Sequence, residues 1–197
     1  MKICSKVLSS RLQKILYTVI HPDQHAFIKG RNIAEAIRNV QDMFYYLTTE
    51  NKNNYIVSID FRKAFDSIDH EFICKALESV GFGPMFIKWV KTLYCNIEGC
   101  VLNNGTSTGY FPISRGVRQG DPLSPYLFLI AIEMLATRLR NTKEIRGITF
   151  GPCESKLSLY ADDFCAFCLD QNSVVVLLDV LRQFDRCSSL TFNRDKT

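Results

Sequence analysis

Leu157-Ser158-Leu159-Tyr160-Ala161-Asp162-Asp163-Phe164-Cys165-Ala166-Phe167-Cys168-Leu169 is the stretch that decides the fold. Two apolar runs flank an Asp-Asp tip, the pattern of two strands joined by a tight turn that holds both acids out of the sheet. Adjacent carboxylates repel one another, so the pairing is costly unless cations occupy the site. A third run, Tyr55-Ile56-Val57-Ser58-Ile59-Asp60, also ends in an acid and supplies a partner strand.

Working outward, Val7, Leu8, Leu12, Ile15, Leu16 and Val19 recur at helical spacing and predict one helix over 2–20, stopped by His21-Pro22. A loop follows to Arg31. Asn32 is placed to cap a second helix with Ile33, Ala36, Ile37, Val40, Phe44 and Leu47 on its apolar face. Asn51 to Asn54 reads as a polar turn before the strand that ends at Asp60. Helices are expected over 69–80, ending at Gly81, and from Pro84 to about Asn96. Asn103-Asn104-Gly105 marks a hairpin turn between Cys100-Val101-Leu102 and Thr108-Gly109-Tyr110-Phe111. A glycine-rich basic loop, Arg115 to Pro122, opens an apolar helix over 123–140. The Asp-Asp hairpin, a helix over 173–187 and a short strand over 190–193 complete the order. Such an order predicts an α+β fold, an antiparallel sheet with helices packed on one face.

The composition suits a single domain of 197 residues with 47% apolar residues, 22% charged residues and a net charge of +4. That charge permits nucleic-acid binding without demonstrating it. Basic residues crowd the first forty positions. Eight cysteines are scattered through apolar segments, which favours reduced core thiols over a disulfide framework. Cys165 and Cys168 fall three apart in a strand, on opposite faces, which argues against a zinc pair. No apolar run reaches the length of a membrane span, and no signal peptide is evident.

The chemistry-bearing residues point to a two-metal site. Carboxylates on separate strands can hold two magnesium ions ~4 Å apart, activating an attacking oxygen and stabilising a leaving one. Asp60, Asp162 and Asp163 suit that role. Asp66 and Asp69 read as helix caps before His70-Glu71-Phe72. Phe65, five residues after Asp60, either sits beneath a nucleotide sugar and excludes a 2′-hydroxyl or belongs to the core. Arg115-Gly116-Val117-Arg118-Gln119-Gly120 offers close backbone approach and an amide that both donates and accepts; the competing reading is a plain basic turn. Lys196 is a candidate proton donor to leaving pyrophosphate, or an ordinary solvated lysine.

Taken in order, these blocks resemble the reverse transcriptase domain of non-LTR retrotransposons, and more distantly that of group II introns. His21-Pro22-Asp23-Gln24 through Ala26-Phe27-Ile28-x-Gly30-Arg31 is similar to the family's fingers-to-palm segment. Asp60-Phe61-Arg62-Lys63-Ala64-Phe65-Asp66 resembles its first catalytic block, and Arg115 to Pro125 its template- and nucleotide-contacting block. Tyr160-Ala161-Asp162-Asp163 is similar to its metal-binding turn, and Asn193-x-x-Lys196 to the block that follows.

The resemblance implies a right-hand polymerase fold, with partial fingers over 1–54, a palm over 55–197, and no thumb or upstream Arg-Pro fingers segment. It implies RNA-directed DNA polymerisation with two Mg2+, or Mn2+ in their place, acting on an RNA template, a DNA primer and deoxynucleoside triphosphates. The metal ligands would be Asp60, Asp162, Asp163 and the carbonyl of Phe61. Phe65 would be the sugar gate and Lys196 the acid. Arg115, Gly116, Gln119 and Gly120 would bind substrate, and Lys29, Gly30, Arg31 and Arg118 nucleic acid. An intracellular location, nucleus or cytoplasm, and no membrane contact go with it. A catalytically inactive, maturase-like RNA-binding remnant is the alternative; a nucleotide cyclase explains the acids but not the Arg115–Pro125 loop.

Overall fold

The computed structural model describes residues 2–50, 53–150 and 153–197. In chain order it contains α1 (Lys2–Gln13), α2 (Leu16–Val19), α3 (Ile33–Thr49), β1 (Tyr55–Ile59), α4 (Ala64–Ser67), α5 (His70–Ser79) and α6 (Pro84–Tyr94). Four two-residue strands follow, β2 (Glu98–Gly99), β3 (Leu102–Asn103), β4 (Thr106–Ser107) and β5 (Phe111–Pro112). The chain then forms α7 (Ser124–Asn141), β6 (Ile148–Phe150), β7 (Cys153–Ser155), β8 (Leu157–Tyr160), β9 (Asp163–Cys168) and α8 (Gln171–Ser188).

Local signals place most of these boundaries. The Asn32, Asp69 and Asp170 side chains accept hydrogen bonds from the N–H groups of Glu35, Phe72 and Ser173, capping α3, α5 and α8. Pro84 occupies the first turn of α6, where its missing N–H costs nothing. The predicted hairpin forms around Asn104 and Gly105, both with positive φ, as a two-residue turn that matches strand twist requires. Its arms are shorter than expected, because pairing lapses between β3–β4 and β2–β5.

The main sheet is antiparallel in the order β1-β9-β8. Alternation along β9 divides its two faces. Phe164, Ala166 and Cys168 face a large core shared with α1, α2, α5, α6, α7 and α8, whereas Phe167 joins Met43 and Leu47 of α3 on the other side. Most helices thus lie on one face, and α3 covers part of the second, where the Ser158 hydroxyl reaches the Ala36 carbonyl. Leu127 through Ile132 of α7 are wholly buried, as a helix apolar all round must be. Leu12, Leu16 and Ile20 pack into the same core as Ile59, so the interior is continuous across the 54/55 boundary.

Three expectations are corrected. The single helix over 2–20 breaks after Gln13, where the N–H groups of Lys14 and Ile15 bond three residues back, to Arg11 and Leu12. That shift lets Leu12 and Leu16 both enter the core while Val7 and Ile15 stay exposed. Ile33, Ile37 and Phe44 of α3 are also exposed, because α3 buries only Ala36, Met43 and Leu47. The strand expected at 190–193 reduces to one bridge, Phe61 to Phe192, made by bonds from Asn193 N–H to the Asp60 carbonyl and from Arg62 N–H to the Thr191 carbonyl. Part of the 51–54 turn, Asn51 and Lys52, lies outside the described residues. The β6–β7 hairpin has no counterpart in the sequence reading. Among the described residues no helix is long and apolar enough to cross a membrane.

Candidate active site

The register of the sheet brings the acids together. Ile59 of β1 pairs with Phe164 of β9, and Tyr160 of β8 pairs with Asp163. One further step along the ladder sets Asp60 beside Asp163, on the face that α3 covers at its far end. Between α3 and the acids that face carries Ser58, exposed, and Cys165, half-buried. Asp162 occupies the two-residue turn with Ala161. Burial pushes its carboxyl above the usual range; its own backbone N–H opposes that, and the negative charges of Asp163 and Asp60 push it further up. Three acids from two distant segments therefore share one field, as the hairpin reading requires.

Asp60 is further oriented from the C-terminal side. The Asn193 amide donates to Oδ2 at 3.3 Å, and the exposed Lys196 ammonium lies 3.8 Å from the same oxygen. The two bonds of the Phe61–Phe192 bridge leave the Phe61 carbonyl unused, while its ring is buried edge-on against Phe164. Asp60, Arg62, Lys63, Asn193 and Lys196 border one open cleft of about 580 Å3.

A second cleft, about 430 Å3, is lined by Phe65 and by the loop from Val117 to Pro125. Phe65 is stacked on the buried Phe128 ring at 4.3 Å and meets Phe27 edge-on at 6.5 Å, so its ring is braced from beneath. The loop is fastened to the segment that follows Phe65. Val117 N–H bonds to the Phe65 carbonyl, Gly116 N–H to the Ile68 carbonyl, and His70 Nε2 to the Gly116 carbonyl. Gln119 and Gly120 are exposed at its rim. The Gln119 Nε2 donates to Asp66 Oδ1 at 3.0 Å. Because a carboxylate accepts only, the amide nitrogen makes this bond and the Gln119 oxygen is left outside it.

Other contacts show what holds these residues in place. Gly116 is buried with φ +83, and a Cβ there would meet the backbone of Asp66 at 2.7–2.8 Å, so close packing alone demands a glycine. Arg31 donates to the carbonyls of Ile20, His21 and Gln24, which makes it a brace of the 21–31 loop. The Arg118 guanidinium is turned onto the Leu93 carbonyl and over the Tyr94 ring. Asp69 caps α5 as expected, but Asp66 caps nothing and instead holds Gln119. Lys29 and Arg115 are exposed and Gly30 is open to solvent. Sequence reasoning did not single out Gln24, a wholly buried amide bonded to both polar groups of Ala161. The signals available were a polar residue between two predicted apolar elements and its place in the fingers-to-palm block.

The sequence model of the family described as "Reverse transcriptase (RNA-dependent DNA polymerase)" matches residues 1–197. The chain belongs to this family. The reverse transcriptase sequence is 37% identical over 164 residues to the transposon TX1 uncharacterized 149 kDa protein of Xenopus laevis, covering 82% of this chain and 12% of that protein. It is 30% identical over 202 residues to the retrovirus-related Pol polyprotein from the type-1 retrotransposable element R2 of Popillia japonica, covering 100% of this chain and 27% of the polyprotein. Among solved structures, telomerase from Candida tropicalis in complex with a fragment of telomeric RNA superposes with a TM-score of 0.66 at 13% identity, over 97% of this chain and 32% of that one. The fold is therefore that of a fingers–palm fragment, and the chain spans a minor part of the longer proteins it matches.

This reverse transcriptase family generally uses divalent metal ions. Among the described residues, no three acidic, His or Cys side chains enclose a metal position by themselves. Magnesium is usually held by one or two carboxylates with substrate phosphates and waters, not by an all-protein cage. Hard oxygen donors gathered at one end of the sheet, with the Asp162 carboxyl pushed up by burial first and then by the negative charges of Asp163 and Asp60, fit such an ion.

Proposed function

We propose that the chain carries the nucleotidyl-transfer centre of a non-LTR retroelement's RNA-directed DNA polymerase, joining a deoxynucleotide to a primer 3′-hydroxyl on an RNA template. The observation that carries this reading is the register that sets Asp60 beside Asp163, with Asp162 in the adjoining turn. Asp60 and Asp162 would hold two magnesium ions, with Asp163 and the Phe61 carbonyl completing the donor set. When bound, the ions activate the attacking hydroxyl and stabilise the leaving oxygen.

The remaining roles fall to the chain's own groups. Asn193 and Lys196 orient Asp60, and the Lys196 ammonium would give its proton to pyrophosphate. The braced Phe65 ring forms a wall that a 2′-hydroxyl would strike, and the Gln119 oxygen offers an acceptor to a sugar hydroxyl or base. Gly120 lets backbone approach the ligand. Exposed Lys29 and Arg115 supply charge for the template and primer phosphates, with Arg118 contributing from the cleft wall.

Primer extension on an RNA template tests the assignment. Asp162→Asn should abolish synthesis with magnesium while leaving the thermal midpoint near that of the wild type. Phe65→Val should admit ribonucleotides, raising their kcat/KM relative to deoxynucleotides by about tenfold or more, the scale of a lost steric contact in the transition state. Undiminished synthesis by Asp162→Asn would remove the metal assignment. RNA binding that persists without any synthesis in the wild type would favour the maturase-like alternative.

A further inference from the structure

Gln24 is wholly buried in the loop between α2 and α3. Its side-chain oxygen accepts from Ala161 N–H at 2.9 Å and from Ala26 N–H at 3.0 Å, and its amide nitrogen donates to the Ala161 carbonyl at 3.3 Å. One side chain thus takes both polar groups of a single turn residue. The loop backbone reinforces it: His25 N–H bonds to the Leu159 carbonyl and Leu159 N–H to the Asp23 carbonyl, each at 2.9 Å.

The residue so held is unusual in conformation. Ala161 has φ +56, a left-handed geometry that glycine or asparagine adopts readily and alanine does not. Ala161 is also the residue that aims its neighbour, since the turn between Tyr160 and Asp163 consists of Ala161 and Asp162 alone. Nothing intrinsic to alanine selects this turn, so the selection must come from outside it. The residue type is suited to the task. A neutral amide donates and accepts at once, whereas a Glu would set another negative charge behind the acids and a Lys could not accept the Ala161 N–H.

We propose that Gln24 is a positioning residue of the polymerase centre: it fixes the Ala161–Asp162 turn in the conformer that presents the Asp162 carboxylate to the side of Asp60 and Asp163. The inference rests on the two-cation reading above and extends it to a residue that touches no reactant.

The test is Mn2+ binding to the 197-residue chain, followed by electron paramagnetic resonance, with thermal midpoints measured in parallel. Gln24→Met keeps the volume and removes all three bonds. It should stay folded and bind Mn2+ about 10- to 100-fold more weakly, the loss seen when groups that orient metal ligands are removed. Gln24→Glu keeps the acceptor and regains the donor only when protonated. Its deficit against wild type should therefore narrow as the pH falls from about 8 to about 6, and thermal midpoints recorded across the same range, well above the binding temperature, separate this from a loss of stability. Wild-type Mn2+ affinity in folded Gln24→Met would overturn this inference and leave the two-cation reading intact. Absence of Mn2+ binding in the wild type, or binding untouched by Asp162→Asn, would overturn both. Unfolding of both Gln24 variants would also overturn the inference, since Gln24 would then be a residue of stability alone.

Discussion

At the scale of the residue, Gly116 and Asp66 show how little freedom the Arg115–Pro122 loop has. Gly116 lies against the Asp66 backbone in a left-handed conformation, and the Asp66 carboxylate holds Gln119. Gly116→Ala should lower stability by about 2 kcal/mol or more, measured by denaturant unfolding, because a strained φ is compounded by a backbone clash. Asp66→Ala leaves that packing in place and frees Gln119. It should raise KM for the nucleotide with a smaller change in stability, which steady-state kinetics alongside thermal melts would separate. The sequence made Phe65 and Gln119 visible as candidates but not their partners. Asp66 carries the letters of a helix cap, and only the approach of a loop fifty residues further along reveals its other use.

At the scale of the element, the 21–31 loop behaves as an additional edge to the sheet. Gln24 bridges to Leu159, Asp23 binds Arg140, and Arg31 gathers the carbonyls of Ile20, His21 and Gln24. Arg31→Ala should therefore cost about 1 kcal/mol of stability, from part-buried carbonyls left without a donor, and leave the salt dependence of RNA binding unchanged. Lys29→Ala should do the reverse, reducing the log–log salt slope by about 0.7 with stability unaffected. Elements with their own start and stop signals were legible in advance: α3, α5, α6, α8 and the Asp-Asp hairpin begin and end near their capping or turn residues. The α1–α2 break was not legible, since Val7 and Ile15 keep helical spacing although the packing leaves them exposed. The Asn104-Gly105 hairpin was legible from its turn, but not the shortness of its arms; the β6–β7 hairpin was not legible at all, because runs so short carry no periodicity to read.

At the scale of the whole molecule, a buried ionic cluster joins the longest apolar helix to the loop. Glu133 of α7 is almost wholly buried, bonded to Arg140, which also grips Asp23 with both carboxylate oxygens. Burial drives the Glu133 carboxyl from 4.5 up to about 7, against the opposing pull of Arg140. Between those two values the folded chain holds a proton that the unfolded chain has released, so this group's contribution to stability falls as pH rises through the window. Glu133→Gln should flatten that part of the profile, as denaturant midpoints recorded from about pH 5 to about pH 8 would show. Sequence alone announces a Glu in an apolar helix with Arg140 two turns on; that Arg140 also meets Asp23 depends on the return of the loop over α7.

The acid-bearing sheet face has an implication for fidelity. Beyond the carboxylates it carries the short Ser58, Ser158 and Cys165, and Tyr160, paired opposite Asp163, adds one aromatic ring at the acid end. Under the proposed function, a polymer resting there would meet small groups and that single ring, and the choice of each letter would fall chiefly to pairing with the template strand.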